Sequence, residues 1–296
     1  MYRVAVTGGS GFLGSYVVDE LLLRGYEVII FDLQPSKWHP KVDFYKVDIS
    51  DPSQIKGKLK NIDYVFHFAG LADLNQSLSK PRLAVELNVN GTYNILEECL
   101  NANVKRFLYA SSAYVFSTSG AMYGASKRAS ELIIEEFNRS FGLDYSIIRY
   151  GSVYGERADE SNRMYRILVQ ALTEKKIDFL GDGSEVREYI HASDAAKLSV
   201  DLLDDEFSGH HVILTGVEKY SYSELMSLIS EMFKNGIKID FASKDYKGHY
   251  TFTPYSFSPT VGKKLVANPF IDFGQGILSC IESIHHELED KNSDKN

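Results

Sequence analysis

Three side chains in this sequence have the types and spacing to move a proton. Tyr123 and Lys127 stand four residues apart in Tyr123-Gly124-Ala125-Ser126-Lys127, so on a helix they share one face. Upstream, Arg106-Phe107-Leu108-Tyr109-Ala110 reads as a buried strand that ends in Ser111-Ser112. A free tyrosine, with a pKa of about 10, is a poor base at neutral pH. An ammonium beside it favours the phenolate. Making such a phenol a base at neutrality takes roughly 4 kcal/mol of differential stabilisation. The predicted roles are Tyr123 as acid/base, Lys127 as its electrostatic partner and Ser112 as the group that orients the substrate oxygen. A tyrosine–lysine pair alone also suits a solvated helix face, so the reading depends on what else the chain carries.

It carries a nucleotide loop. In Val6-Thr7-Gly8-Gly9-Ser10-Gly11-Phe12-Leu13-Gly14, residues 3–7 read as a strand, and Phe12, Leu13, Tyr16, Val17, Leu21 and Leu22 have helical period. Gly8, Gly11 and Gly14 recur every third residue, and Gly9, Gly11 and Gly14 fit G-x-G-x-x-G. Glycine there lets the chain turn sharply and leaves no Cβ between backbone and pyrophosphate. The helix start offers N–H groups and a positive dipole end to the phosphates. A second strand, Val28–Phe31, ends in Asp32, about twenty residues on, where a carboxylate can bind a ribose 2′-OH. That carboxylate repels a 2′-phosphate, and no arginine follows closely, which favours NAD over NADP. Loop and triad together predict hydride chemistry on a nicotinamide cofactor.

The rest of the sequence sets limits. A chain of 296 residues with 44% hydrophobic content suits a large α/β domain with a smaller lobe. Its net charge of −8 and lack of a basic cluster argue against a nucleic-acid partner. No apolar run reaches membrane-spanning length, and Met1-Tyr2-Arg3 runs into the first strand without a leader. A cytoplasmic protein with no membrane partner is expected. Cys99 and Cys280 read as packing residues in a reducing compartment. The eight histidines show no ligand spacing; the adjacent pairs His210-His211 and His285-His286 would face opposite sides of a strand, and no metal site is expected.

Strand and helix signals alternate over the first half, predicting a Rossmann-type, doubly wound parallel sheet. Further strands are expected at 42–47, 62–67, 106–110 and 145–149, and helices at 52–59, 81–101 and 123–141. Beyond them come helical pieces near 163–175, 191–204, 221–234 and 274–288, and short strands at 177–180, 211–214 and 238–241. The expected division is a cofactor domain over 1–155, with parts of 177–215 returning to it, a mainly substrate-binding lobe over 156–288, and a flexible tail over 289–296. The stretch 245–269 reads as an irregular segment near the substrate.

Several motifs resemble the extended short-chain dehydrogenase/reductase family, in its branch of NAD-dependent sugar-nucleotide epimerases and dehydratases. His67-Phe68-Ala69-Gly70-Leu71 resembles a segment of UDP-galactose 4-epimerases, and Asn88-Val89-Asn90-Gly91-Thr92 resembles the helix that follows it. Asp48-Ile49 resembles the pair that borders the adenine. Arg149-Tyr150-Gly151-Ser152-Val153-Tyr154-Gly155 resembles the R-x-x-N-V-Y-G motif, and Gly181-Asp182-Gly183 with Arg187-Glu188-Tyr189-Ile190-His191 and Asp194 resembles the nucleotide-sugar segment. The resemblance implies a cofactor held by Gly8, Gly11, Phe12, Leu13 and Gly14, by Asp32 and Leu33, by Asp48 and Ile49, and by Phe68, Ala69 and Gly70. Asn88, Ser111, Tyr123, Lys127 and Tyr150 complete that set. It implies substrate contacts from Ser112, Ser152, Asn162, Arg187 and Tyr250, with Arg187 on the diphosphate.

The chain departs from the family pattern in four places. Only about ten residues separate Ser112 from Tyr123, which predicts a wider pocket mouth. Ala113 and Tyr114 stand where 4,6-dehydratases carry an Asp-Glu pair, which argues against water elimination. Ser152 replaces the motif asparagine. The usual arginine of the C-terminal lobe is missing from 244–256, where Lys247, His249 and Tyr250 are the polar substitutes. The leading expectation is a nucleotide-sugar 4-epimerase working through a transient 4-keto sugar. The alternatives are a C4 dehydrogenase or ketosugar reductase with net redox change, and a non-catalytic NAD-binding regulator. Apolar stripes at Leu83, Leu87, Tyr93 and Leu96 and at Leu132, Ile133 and Phe137 suggest a homodimer through a four-helix bundle, as the resemblance also implies.

Overall fold

The computed structural model describes residues 1–117, 120–234, 236–242, 263–265 and 270–293. Its first six strands are β1 (Arg3–Thr7), β2 (Glu27–Asp32), β3 (Asp43–Lys46), β4 (Tyr64–His67), β5 (Arg106–Ser112) and β6 (Asp144–Tyr150). The later strands are β7 (Ser152–Tyr154), β8 (Lys176–Leu180), β9 (Val186–His191), β10 (His210–Leu214), β11 (Lys219–Ser221), β12 (Lys238–Ala242) and β13 (Lys263–Leu265). Between them run α1 (Phe12–Leu23), α2 (Pro52–Ile55), α3 (Leu74–Ser79), α4 (Pro81–Val85), α5 (Gly91–Ala102), α6 (Ala121–Phe141), α7 (Arg163–Glu174), α8 (Ala192–Asp201), α9 (Tyr222–Glu231) and α10 (Phe273–Ser293). A π-helical turn, Glu86–Asn90, joins α4 to α5.

The central sheet is an eight-stranded, all-parallel Rossmann-type sheet ordered β3-β2-β1-β4-β5-β6-β10-β13. The chain order reverses between β1 and β4, which opens a crevice at the carboxyl ends of the strands. Alternate residues of each strand face opposite ways. Val4, Val6 and Ile30 therefore meet Val17 and Leu21 of α1 and Ala195 of α8 on one side. Ala5, Ile29, Val65 and Phe107 meet Ile95 of α5 and Ile134 and Phe137 of α6 on the other. A third core joins α7, β8, α9 and α10 through Leu168, Phe179, Met226 and Ile277. Two small sheets, β11-β9-β7 and β12-β8, border that third core.

Several elements differ from the sequence expectation. The helix expected over 52–59 stops at Ile55, because Gly57 turns the chain at φ +77°. The strand β9 lay hidden because Arg187, Glu188 and His191 are buried in it, so it lacks an apolar period. The short elements β7, β11, β13 and α3 also lacked a readable pattern. Residues 289–293 of the expected tail lie in α10, which continues to Ser293, and the rest of it lies outside the described residues. Leu288, near the end of α10, still packs against the lobe core. Except for β13, the segment 245–269 lies outside the described residues, and with it Lys247, His249 and Tyr250. Among the described residues, no helix is long and apolar enough to cross a membrane.

Candidate active site

A cavity of about 570 Å³ opens at the carboxyl ends of β1, β2, β4, β5 and β6, a size usual for a small-molecule site. At one end the turn between β1 and α1 forms its wall with Gly8, Gly11, Phe12, Leu13 and Gly14. The turn is close-packed in a way that only glycine permits. A Cβ on Gly8, at φ +71°, would sit 2.7 Å from the Ala69 backbone nitrogen, and one on Gly14 would sit 2.2 Å from the Gly8 carbonyl oxygen. No side chain caps the start of α1, so its first N–H groups and dipole end suit an anion. Asp32, at the end of β2, accepts the Ser10 N–H at 3.0 Å and the Leu33 N–H at 2.7 Å. Those bonds fix the carboxylate on the cavity wall, beside Leu33, Asp48 and Ile49. Loop, helix start and fixed carboxylate fit a dinucleotide.

Further along, Phe68, Ala69 and Gly70 continue the wall to Ser111, Ser112, Tyr123, Lys127 and Tyr150. Strand β5 delivers the serines and α6 delivers tyrosine and lysine. Ser112 lies beside the Tyr123 phenol, close enough to affect its ionisation, and accepts the Tyr114 N–H at 3.3 Å. Lys127 donates to the Ala110 carbonyl oxygen at 2.9 Å, with its Nζ 4.8 Å from the Tyr109 ring centre. Burial lowers the Lys127 pKa to about 8, with the Glu131 carboxylate acting against the fall. Burial also raises the phenol of Tyr123 above its ordinary value, and the Ser112 hydroxyl draws it partly back. In the chain alone the phenol is therefore held neutral. Desolvation is the larger cause, and the expected lowering by the Lys127 charge is not among the causes of the shift.

The cavity ends at the lobe. Ser152, Asn162 and Arg187 line it there. Asn162 caps α7 by accepting the Tyr165 N–H at 3.2 Å and donates to the Val153 carbonyl at 2.9 Å. The buried Arg187 guanidinium lies 5.4 Å from the Tyr222 ring centre, and that of Arg163 lies 4.4 Å from the same ring. The sequence reading missed Arg163, Arg166, Tyr222, Tyr114 and Asp73, all on the wall. An arginine or tyrosine at a helix start resembles an exposed residue, and only the tertiary fold turns these inward. Arg166 also lies 3.8 Å from Asp73, linking α7 to the loop before α3.

Asn88 is the described candidate that does not line the cavity. It is buried behind the wall, where Oδ1 accepts the Leu71 N–H at 2.7 Å and Nδ2 donates to the Leu71 carbonyl at 3.0 Å. It holds the loop after β4 rather than meeting that space. His67 is buried beside it, 2.6 Å from Thr7 Oγ1 and 3.1 Å from Thr92 Oγ1. His285 and His286 lie on α10, not a strand, and their ligand atoms fall within 4.8 Å of those of Glu289, with all three exposed.

Residues 4–215 match the NAD dependent epimerase/dehydratase family. A putative UDP-glucose 4-epimerase of Methanocaldococcus jannaschii is 32% identical over 219 residues, covering 67% of this chain and 72% of that protein. A UDP-glucuronate 4-epimerase of Thermodesulfobacterium geofontis is 26% identical, covering 80% of this chain and 82% of that one. Among solved structures, an epimerase from Methanothermobacter thermautotrophicus superposes with a TM-score of 0.84 at 22% identity, covering 97% of this chain and 93% of that one. At this identity the likeness concerns the fold. The match spans the glycine loop, Asp32 and the Tyr123–Lys127 pair, and the chain belongs to the NAD dependent epimerase/dehydratase family.

Proposed function

We propose that this protein is an NAD-dependent epimerase of a nucleotide-activated sugar, acting at C4 through a transient 4-keto sugar. The observation that carries the reading is one continuous cavity, from the glycine turn and Asp32, past Ser112, Tyr123 and Lys127, to Arg187. Bound NAD supplies a hydride acceptor that can return the hydride. The chain's own groups supply the rest. Ser112 orients the sugar hydroxyl, and Tyr123 takes its proton and later gives it back. Lys127 holds a positive charge near the phenol. Arg187 meets the diphosphate, with planar geometry suited to phosphate oxygens, and Ser152 and Asn162 line the sugar end. Tyr250 belongs to the same proposed set and lies outside the described residues. The cofactor residues named from the sequence keep their proposed roles, with Asn88 acting from behind the wall.

Epimerisation is favoured over dehydration because Ala113 and Tyr114 follow Ser112, and neither can eliminate water as a carboxylate pair could. The test is incubation with a panel of uridine, guanosine, cytidine and thymidine diphosphate sugars, following both C4 configuration and the absorbance of reduced nicotinamide. An epimerase interconverts the sugars with no lasting NADH. Steady NADH accumulation would mean a net dehydrogenase, and no conversion of any sugar would leave a binding protein.

The same reading assigns residues 1–155 and the returning strand β10 to cofactor binding, and the lobe built on α7, α9 and α10 to the substrate. It places the protein in the cytoplasm, in keeping with two buried free cysteines, and pairs it as a homodimer through α5 and α6. Leu96 and Phe137 of the expected stripes belong to the core, but Tyr93 and Leu132 are 44% and 52% exposed, and a second copy would cover them. Sedimentation at micromolar concentration should give twice the chain mass. A monomer would rule the pairing out.

A further inference from the structure

Helix α6 carries a third buried polar residue on the stripe that begins with Tyr123 and Lys127. Glu131 follows Lys127 by one helical turn and is fully buried. Its carboxylate is gripped from the sheet. Oε1 accepts the Ser111 hydroxyl at 2.6 Å and Arg149 Nε at 2.9 Å, while Oε2 accepts Arg149 Nη2 at 2.8 Å. Arg128, on the same helix, lies 3.4 Å from Oε2. Behind Arg149, Nη2 donates to His211 Nδ1 at 2.6 Å, and His211 Nε2 lies 3.0 Å from Glu135. A polar seam thus runs along α6 from the cavity to the half-exposed Glu135.

We infer that Glu131 is a positioning residue for the reaction: paired at two points with Arg149, it is the buried counter-charge that keeps Lys127 protonated beside Tyr123. The geometry leaves few other groups for that task. From β5, Lys127 faces only the Ala110 carbonyl and the Tyr109 ring. From β4 it faces the field of His67, which burial and the lysine itself hold neutral, down to about 3. From its own helix it faces Tyr123, neutral in the chain alone, and Glu131. Facing Glu131 are Arg149, Arg128, His211 and Glu135. Arg149 makes the two-point contact that suits a carboxylate, and burial with the arginine beside it takes His211 down to about 4, so it stays neutral. A buried carboxylate without such a partner would take up a proton, and its field at Lys127 would vanish. With Glu131 charged, Lys127 resists burial and titrates at about 8.

The inference rests on Tyr123 and Lys127 being the reacting pair, yet its measurement needs neither substrate nor turnover. The lysine side chains are labelled with carbon-13 at Cε, and the resonance of Lys127 is identified as the one missing from Lys127→Met. Its titration in the wild-type protein should centre at about 8. In Glu131→Gln, which keeps the shape and removes the charge, the midpoint should fall to lower pH. Glu131→Asp, which keeps the charge, should restore it most of the way. The alkaline limb of the turnover profile should move in the same order, whereas a merely structural role would lower turnover without moving it. An unchanged midpoint in folded Glu131→Gln overturns the inference. If that variant does not fold, the wild type decides, because a buried lysine without a counter-charge titrates at about 5–6, and a midpoint there would overturn it equally.

Discussion

Ser111 and Ser112 are neighbours in the chain and have different partners. The Ser111 hydroxyl donates to Glu131 at 2.6 Å, while the Ser112 hydroxyl meets the Tyr123 phenol. Both partners stand on α6, eight residues apart, so the doublet at the end of β5 divides between a buried ion pair and the proposed reaction centre.

That division separates the effects of two small substitutions. Ser112→Ala removes the hydroxyl that orients the substrate and tempers the phenol, and turnover should fall. The variant should stay as stable as the wild type to within about 1 kcal/mol, the usual worth of one hydrogen bond. Ser111→Ala leaves part of a buried carboxylate without a partner, at a cost of roughly 1–3 kcal/mol. Its main effect should be on melting temperature, with the smaller effect on turnover. The reverse ranking in paired kinetic and thermal measurements would show that the serines have exchanged roles.

Cofactor choice should depend on Asp32. Its carboxylate is already ordered by the N–H groups of Ser10 and Leu33, so a ribose hydroxyl meets an acceptor in place. A hydrogen bond to a charged group is worth roughly 1.5–3 kcal/mol, so Asp32→Ala should weaken NAD about ten- to hundred-fold in calorimetric titration. The unaltered protein should bind NADP far more weakly than NAD, because a 2′-phosphate would face the same carboxylate. Equal affinities for the two would remove Asp32 as the selector.

The buried histidines should make the fold acid-sensitive. Burial holds His67 down at about 3 and His211 at about 4, against about 6.5 in an unfolded chain. Between those limits the unfolded state binds more protons, so stability rises with pH there and falls as the solution is acidified below about 6.5. Each histidine contributes a slope of up to about 1.4 kcal/mol per pH step. His67→Gln should flatten the dependence of unfolding free energy on pH between about 6 and 4, even if it lowers stability throughout. A slope identical to the wild type would mean that His67 is not neutral in the fold.

Local signals made much of this molecule legible in its sequence. The glycine turn, Asp32 and the Tyr123–Lys127 pair each depend on spacing within one strand, turn or helix, and periodicity preserves such spacing. The lobe end of the cavity was harder to read. Arg187 was found only through a family motif, because a strand with Arg187, Glu188 and His191 all buried lacks an apolar alternation. Arg163 and Tyr222 come from two helices that meet only when the third core assembles, with Leu168 and Met226 at its centre. Asn88 shows the opposite case. Its motif was recognised, but its side chain is spent on Leu71 and Ser126, and only the packing of the π-helical turn decides that it faces away from the cavity.

The chemistry itself rests on Tyr123. The phenol lies beside Ser112 on the cavity wall and is raised above its ordinary value in the chain alone, so its proton stays on until the occupied site adds positive charge. Tyr123→Phe keeps the ring, and with it the edge contact to Tyr114 at 6.2 Å, while removing the hydroxyl. Turnover should fall by roughly 10²–10⁴-fold, the usual cost of a lost general acid/base, with NAD still bound at wild-type affinity. Lys127→Met should also slow turnover, and should move the acid limb of its pH profile, where the phenol ionises, to higher pH, since a phenol without the ammonium ionises less readily. The measurement is single-turnover reduction of NAD with the true nucleotide sugar. A Tyr123→Phe protein that keeps more than about a tenth of the wild-type rate, well above that range, would take the tyrosine out of the proton transfer and leave another group on the cavity wall to be found for it.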